Sequence, residues 1–175
     1  SLQAGDNMIL KRMKRRHTRE QAIEFCAKLK TQRPEITFGA DIIAGFPTET
    51  DPMFKNSLAL IAECDIAWLH VFPFSPRPGT PAARMPQLAS DIIKERAAAL
   101  RAAGAHQRTK TLEARIGTRQ SVLVEKSGEG RTPCFARVEF EATNDAAKSG
   151  DIISARITGH DGERLLGEID EGQSR

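Results

Sequence analysis

ITFGADIIAGF (residues 36–46) and AWLHVFPF (residues 67–74) decide the fold. Both stretches are dense in β-branched, aliphatic and aromatic residues, the composition of strands buried on both faces. Between them, Asp51 is placed as an N-cap and Pro52 at the first helical position. Phe54, Leu58, Ile61 and Cys64 then recur at helical spacing. Strand, helix, strand is the βαβ unit, so this half of the chain reads as α/β with a parallel sheet.

Working toward the N-terminus, Thr18 and Gln21 make a capping-box pattern ahead of Ala22, Phe25, Cys26 and Leu29 at helical spacing. Arg33-Pro34 stops that helix, because the residue before a proline avoids the α region. Asp6 is placed to cap a short helix reaching about Met13, with Ile9, Leu10 and Met13 as its apolar side. SLQAG (residues 1–5) reads as the end of a strand entering a turn, as expected of a piece of a longer protein.

Toward the C-terminus, Ser90 begins a long helix reaching about Arg115, with Ile93, Ala97 and Leu100 on one face. Gly104 is a place for a bend within it, and Gly117 is placed to end it. The style then changes. Segments near 119–126, 134–141, 151–158 and 163–169 alternate or carry Val, Ile and Leu, and Gly-rich turns separate them. This spacing predicts a small antiparallel β-barrel. The expected domains are residues 1–116 and 117–175.

The chain has 175 residues and a formal net charge of +3, enough for one or two domains with a real core. No apolar run approaches the roughly 18 residues needed to span a bilayer, and no signal-peptide pattern opens the sequence. The expectation is a soluble cytoplasmic protein with no membrane partner. Cys26, Cys64 and Cys134 are odd in number and far apart, which argues against a disulfide framework. They lack CxxC or CxxxCxxC spacing, so they offer no three neighbouring thiolates to an iron–sulfur cluster. Cys26 and Cys64 fall on apolar helix faces, where a thiol acts as a small buried hydrophobe. Neither a Ser/His/Asp triad, a P-loop nor GxGxxG is present.

Ligands of parallel α/β folds sit at the C-terminal ends of the strands, which points to two segments. In DIIAGFPTE (residues 41–49), Gly45 lets the backbone approach a ligand. Asp41 there is a carboxylate within an apolar strand, either functional or hydrogen-bonded to neighbouring backbone. In FPFSPRPGTP (residues 72–81), four prolines stiffen a loop that mixes aromatic, hydroxyl and guanidinium groups. His70, with no His, Cys or acid at ligand spacing, reads as a core histidine rather than a metal ligand.

Charge adds a third pointer. Lys11, Arg12, Lys14, Arg15, Arg16 and Arg19 crowd one stretch with no acid among them, either a phosphate-binding footprint or a solvated helix end. Within the β-rich segment, Arg119, Arg131 and Arg137 lie near Phe135 and Phe140. OB-like barrels hold oligonucleotides with such a mixture of stacking and phosphate contacts. Alternation with Val138 places Phe140 in the barrel core, and Phe135 is open to either role.

These segments together resemble the radical S-adenosylmethionine (SAM) methylthiotransferases of the MiaB type. The resemblance rests on LQAGD (residues 2–6), MKRRHT (13–18), DIIAGFPTE (41–49) and above all LHVFPFSPRPGTPAARM (69–85). Residues 116–169 resemble the TRAM domain, an RNA-binding appendage of that family. HVFPFSPRPGTPAARM followed by Lys94-Glu95-Arg96 is most similar to the branch that adds a 2-methylthio group to threonylcarbamoyladenosine 3′ of the tRNA anticodon. The isopentenyladenosine branch is the alternative, and a non-catalytic RNA-binding module is a second.

The resemblance implies the C-terminal part of a radical SAM barrel followed by TRAM. It also implies SAM and two [4Fe–4S] clusters in the full-length enzyme, with neither cluster expected on this chain and the chain inactive by itself. Gln3, Asp41, Gly45, Phe72, Pro73, Phe74 and Ser75 would line the SAM side of the barrel mouth. Lys14, Arg15, Arg16, Arg77, Arg84, Arg119, Arg131, Phe135 and Arg137 would meet the tRNA anticodon stem-loop. Asp41 stands where the looser GxIxGxxE pattern of radical SAM proteins has its first Gly, and Glu49 falls one place late. An incomplete barrel leaves an exposed strand edge, through which self-association is expected.

Overall fold

A computed structural model describes residues 1–140 and 147–169. The chain divides into two compact units, Ser1–Gln107 and Arg108–Arg175.

The first unit is built on parallel strands. β1 (Phe38–Ala44) pairs with β2 (Ile66–Pro73), and Gln3 adds a parallel bridge to Ile42 on the other side of β1. The Gln3 amide donates to Asp41 O and its carbonyl accepts from the Ile43 amide, so SLQAG does enter the sheet as a strand end. Between these strands run α1 (Asn7–Arg12), α2 (Arg19–Gln32) and α3 (Asp51–Glu63), and α4 (Ser90–Glu113) follows β2. Asp6 caps α1 by accepting from the Met8 and Ile9 amides, and Thr18 with Gln21 closes a reciprocal capping box on α2. The N-cap of α3 is Thr50, one residue before the expected Asp51.

One face of the sheet is covered. Ala40, Ile42, Ala44 and Ile66 share a core with Cys26 of α2, Leu60 and Ile61 of α3, Cys64, and Ala97 and Leu100 of α4. The buried stripe of α2 runs through Ala22 and Cys26 with Ile23 beside it, which leaves Phe25 exposed on its flank. Gly104 does not bend α4. A Cβ there would lie 2.9 Å from Leu69 Cβ, so the glycine lets the helix approach β2 closely.

β2 is not the doubly buried strand its composition predicts. Its second half is exposed or half-buried, because no described residue pairs with its outer edge and the helices cover a single face.

The second unit is a closed five-stranded barrel in the order β3 (Arg119–Lys126), β4 (Glu129–Arg131), β5 (Arg137–Phe140), β7 (Leu165–Ile169), β6 (Ile152–His160). Every pairing is antiparallel except β5 with β7. Val122, Val124, Val138, Phe140, Ile153, Ala155, Ile157 and Leu165 fill it. β4 occupies a stretch whose composition predicts a turn. It contains Gly130, where a Cβ would sit 2.4 Å from Val122 Cγ1.

Gly5 is the tightest point of the first unit. A Cβ there would lie 2.5 Å from Ser57 Cα, and its amide donates to Ser57 Oγ at 2.9 Å. Gly5→Ala should therefore destabilise the protein by about 2–3 kcal/mol. Gly79→Ala, with open space around it, should cost about 1 kcal/mol from its positive φ alone. Urea denaturation of the two variants checks this, and equal losses would contradict the packing account.

Candidate functional site

A bulge between Phe38 and Gly39 sets the alternation of side chains along the sheet. Beyond it, Ala40, Ile42, Leu69 and Val71 belong to the helix-side core. Gly39, Asp41 and Ile43 therefore pair across the opposite face with Trp68, His70 and Phe72. None of these six belongs to the helix-side core. His70 Nδ1 lies 3.2 Å from Asp41 Oδ1, the His70 side chain is 72% exposed, and Phe72 is 54% exposed. His70 is thus a surface residue with a carboxylate partner, contrary to the core histidine expected. The bulge inverts the simple alternation from Ile66, which is why position alone misplaced it.

At the C-terminal ends of the strands, the turn after β1 is held by a buried ion pair. Glu49, 4% exposed, accepts from the Gly45 amide at 3.2 Å and from Arg96 Nη1 at 2.8 Å. Arg96 also donates to Glu49 O at 2.8 Å and to Asp51 Oδ1 at 2.6 Å, and its guanidinium lies over the Phe54 ring. Burial pushes the Glu49 carboxyl up, against the opposing pull of Arg96 and the Gly45 amide. Gly45 has φ +73°, and a Cβ on it would lie 2.7 Å from Ile93 Cγ1. Its lack of a side chain thus admits α4, rather than leaving open space for a ligand.

Over this turn lies a second apolar cluster. Ala4, Ile9, Leu10 and Phe46 pack with Met13, Phe74, Ala82 and Met85. Phe46 and Phe74 meet edge to face at 5.4 Å, and the Phe74 amide donates to Ala44 O. The proline-rich loop is therefore tied down at both ends, by Phe74 and by Ala82 and Met85. Thr80 Oγ1 donating to Arg77 O closes the turn between them. Lys14, Arg15, Arg16, Arg77 and Arg84 are all exposed, on segments adjoining this cluster. Arg19 is instead engaged with Glu63.

In the barrel, the outward residues Ile152, Leu123, Arg131 and Arg137 are successive cross-strand partners. Arg119 stands opposite Arg156. Arg131 donates to Glu125 Oε1 at 2.9 Å and to Phe135 O at 3.4 Å. Phe135 is 68% exposed in the β4–β5 turn at φ +66°, while Phe140 is in the core as its alternation predicts. The Cys134 thiol is held below its ordinary value. Burial opposes this, but the Thr132 hydroxyl, the Ala136 backbone and Arg115 outweigh it.

Gln3 lies in the sheet through its backbone, with its side chain on the Ser1 hydroxyl. Phe72, Pro73, Phe74 and Ser75 run from the end of β2 into the loop. Composition missed His70 and Trp68 as neighbours of Asp41, although their period-two spacing with Phe72 was visible. Among the described residues, no group of three or more His, Cys, Asp or Glu is arranged to hold a metal. Cys26 and Cys64 are in the helix-side core, where burial pushes the Cys64 thiol up to about 12. No helix among the described residues is long and apolar enough to cross a membrane.

A parallel sheet covered on one face, with a small closed β-barrel after it, defines an α/β protein carrying an OB-like module. No family model matches the chain. Over 159 residues it is 50% identical to the threonylcarbamoyladenosine tRNA methylthiotransferase MtaB of Rickettsia prowazekii, covering 91% of this chain and 37% of that protein. It is 37% identical over 175 residues to the tRNA-2-methylthio-N(6)-dimethylallyladenosine synthase of Agrobacterium fabrum, covering 96% of this chain and 38% of that one. The corresponding synthase of Orientia tsutsugamushi is 34% identical over 174 residues, covering 96% and 39%. The chain belongs to the methylthiotransferase family. It spans 37–39% of the length of these relatives.

Removing Arg96 leaves Glu49 buried without its cation. Arg96→Ala should destabilise the protein by about 3–5 kcal/mol at neutral pH. With a raised folded value, Glu49 protonates in the folded state before it would in the unfolded chain. The deficit should therefore shrink as pH falls through that folded value toward 4.5. Denaturation of wild type and variant across pH checks this, and a pH-independent deficit would contradict it.

Proposed function

We propose that this chain is part of a tRNA methylthiotransferase that adds a 2-methylthio group to the threonylcarbamoyladenosine 3′ of the anticodon. The observation that carries the reading is 50% identity, over nearly the whole chain, to a relative bearing that name. The dimethylallyladenosine synthases match at 34–37%, which keeps that branch as the second reading. A non-catalytic RNA-binding module is the weaker reading, because the identity to named tRNA methylthiotransferases runs over 91–96% of the chain. The setting is the cytoplasm, where tRNA is modified.

SAM, reduced at an iron–sulfur cluster, would supply the radical and the methyl group. Three scattered thiols, two of them in the core, do not fit a cluster, so the cluster ligands belong to the length of the relatives that this chain does not span. The chain's own residues would bind, orient and exclude water. Gln3, Asp41 and the Phe72, Pro73, Phe74 and Ser75 backbone would line the SAM side, whereas Gly45, expected there too, is taken up by α4. Asp41 fits a cationic or amine-bearing ligand, and the Glu49–Arg96 pair keeps the Gly45 turn rigid beneath it. Glu49 itself acts on that turn, since its carboxylate is engaged within the fold.

Exposed Lys14, Arg15, Arg16, Arg77 and Arg84 would meet phosphates of the anticodon stem-loop. Arg119, Arg131, Arg137 and the exposed Phe135 ring of the TRAM-like barrel, residues 117–175, would hold a single strand. Self-association is expected through the outer edge of β2, along which no described residue forms a strand pairing. Light scattering should show mass rising with concentration, and a monomer throughout would sink that part.

Nucleosides from the total tRNA of cells lacking the gene test the function. Threonylcarbamoyladenosine should persist while its 2-methylthio form disappears. Loss of the 2-methylthio isopentenyl nucleoside instead would select the other branch, and loss of neither would overturn the reading. Replacing Lys14, Arg15 and Arg16 by Ala should lower the salt slope of stem-loop binding by about 0.7 for each lost single-strand phosphate contact. An unchanged slope would remove those residues from the interface.

A further inference from the structure

Among the described residues, Arg131, Arg156 and Arg164 of the barrel pair with Glu125, Glu168 and Glu139. Arg156 and Glu168 are ordinary cross-strand partners. Glu125 is placed differently. The β3–β4 register steps from Val124 opposite Gly130 to Lys126 opposite Glu129, so Glu125 is the extra residue of a β-bulge. A bulge re-aims the side chain it carries, and here the carboxylate turns onto Arg131. Nε donates to Oε1 at 2.9 Å and Nη2 to Oε2 at 3.5 Å.

Arg131 and Arg137 stand directly opposite each other on the outer face of β4 and β5. Cβ atoms of such a pair lie about 5 Å apart, and like charges so placed repel. An anion between them removes the repulsion, and Glu125 supplies one. Its carboxyl is held below the ordinary carboxylate value, first by the Arg131 hydrogen bond and then by the charges of Arg131, Arg137 and Lys126. Two opposed guanidiniums around one pair of oxygens are also what holds a phosphate.

We infer that Glu125 is an internal stand-in for phosphate: it occupies the Arg131–Arg137 site in the free protein, and an RNA backbone phosphate must displace it to bind there. The inference rests on the proposed function and adds regulation to its barrel contacts. The consequence is selectivity. A phosphate by itself only exchanges one anion for another, whereas a strand that also stacks on Phe135 brings a further contact. Phe135 adjoins the same guanidinium, since Arg131 Nη1 donates to its carbonyl at 3.4 Å. Glu125 is thus a specificity residue that acts through Arg131.

Anisotropy of a labelled anticodon stem-loop RNA and of a blunt RNA duplex, each titrated with the 175-residue chain over a salt series, tests this. Glu125→Gln should tighten stem-loop binding about threefold. Its salt slope should steepen by about 0.7, the value of one single-strand phosphate contact. The duplex, which offers phosphates but no unstacked base, should gain more, so that discrimination between the two narrows. Adding Arg131→Ala to Glu125→Gln should remove the gain, which a mere rise in net charge would not do. Stem-loop binding by Glu125→Gln that is equal to wild type, or weaker, overturns the inference.

Inorganic phosphate, followed through the Arg131 Nε–H signal by NMR, gives a readout without RNA. That signal should shift at about threefold lower phosphate in Glu125→Gln than in wild type, and identical titrations overturn the inference. Should the phosphate difference appear while neither protein binds RNA, the guarded anion site stands and the proposed function falls. Should RNA bind wild type and Glu125→Gln alike, the proposed function stands and the guard falls.

Discussion

The buried pair between Glu49 and Arg96 fixes the turn at the C-terminal end of β1. Arg96 comes from α4 and Glu49 from the turn after β1, so the pair ties the last helix to the first strand. A buried ion pair is a poor source of net stability, because desolvation consumes most of the Coulombic gain. Its value here is geometric. One Glu49 oxygen accepts from both Arg96 and the Gly45 amide, holding a turn at positive φ against the Ile93 side chain. Phe46, carried by that turn, then meets Phe74, and through Phe74 the proline-rich loop is set in place.

The helices complete one face of the sheet only. Ala40, Ile42, Ala44 and Ile66 of the parallel strands are buried on that side. The other face carries a carboxylate and a histidine, groups that would be costly in a packed interior, beside two large aromatics. Buried apolar side chains and exposed polar and aromatic ones are thereby divided between the two faces of the same strands, one residue apart in sequence.

The βαβ order, the capping box and the alternating barrel strands were legible, because each is a local pattern of a few residues. The Asp6 cap and the Thr18–Gln21 box fall where the sequence places them. What was not legible depends on distant contacts. The bulge at Gly39 turned His70 from core to surface, and nothing in AWLHVFPF announces it. Gly104 looked like a breaker because its reason, Leu69, is far away in sequence. β4 is three residues long and holds a glycine, too short for alternation to be seen. At the site, the position of DIIAGFPTE at a strand end was readable, but the engagement of Glu49 by Arg96 was not.

The central claim is that the helix-free face and the adjoining rim meet the ligand. Hydrogen–deuterium exchange of the chain with and without an anticodon stem-loop RNA tests it most directly. The account predicts added protection in residues 14–17, 39–43, 68–72 and 74–85, with α2 and α3 unchanged. Protection confined to the helices, with that face and the proline-rich loop exchanging as before, would contradict it.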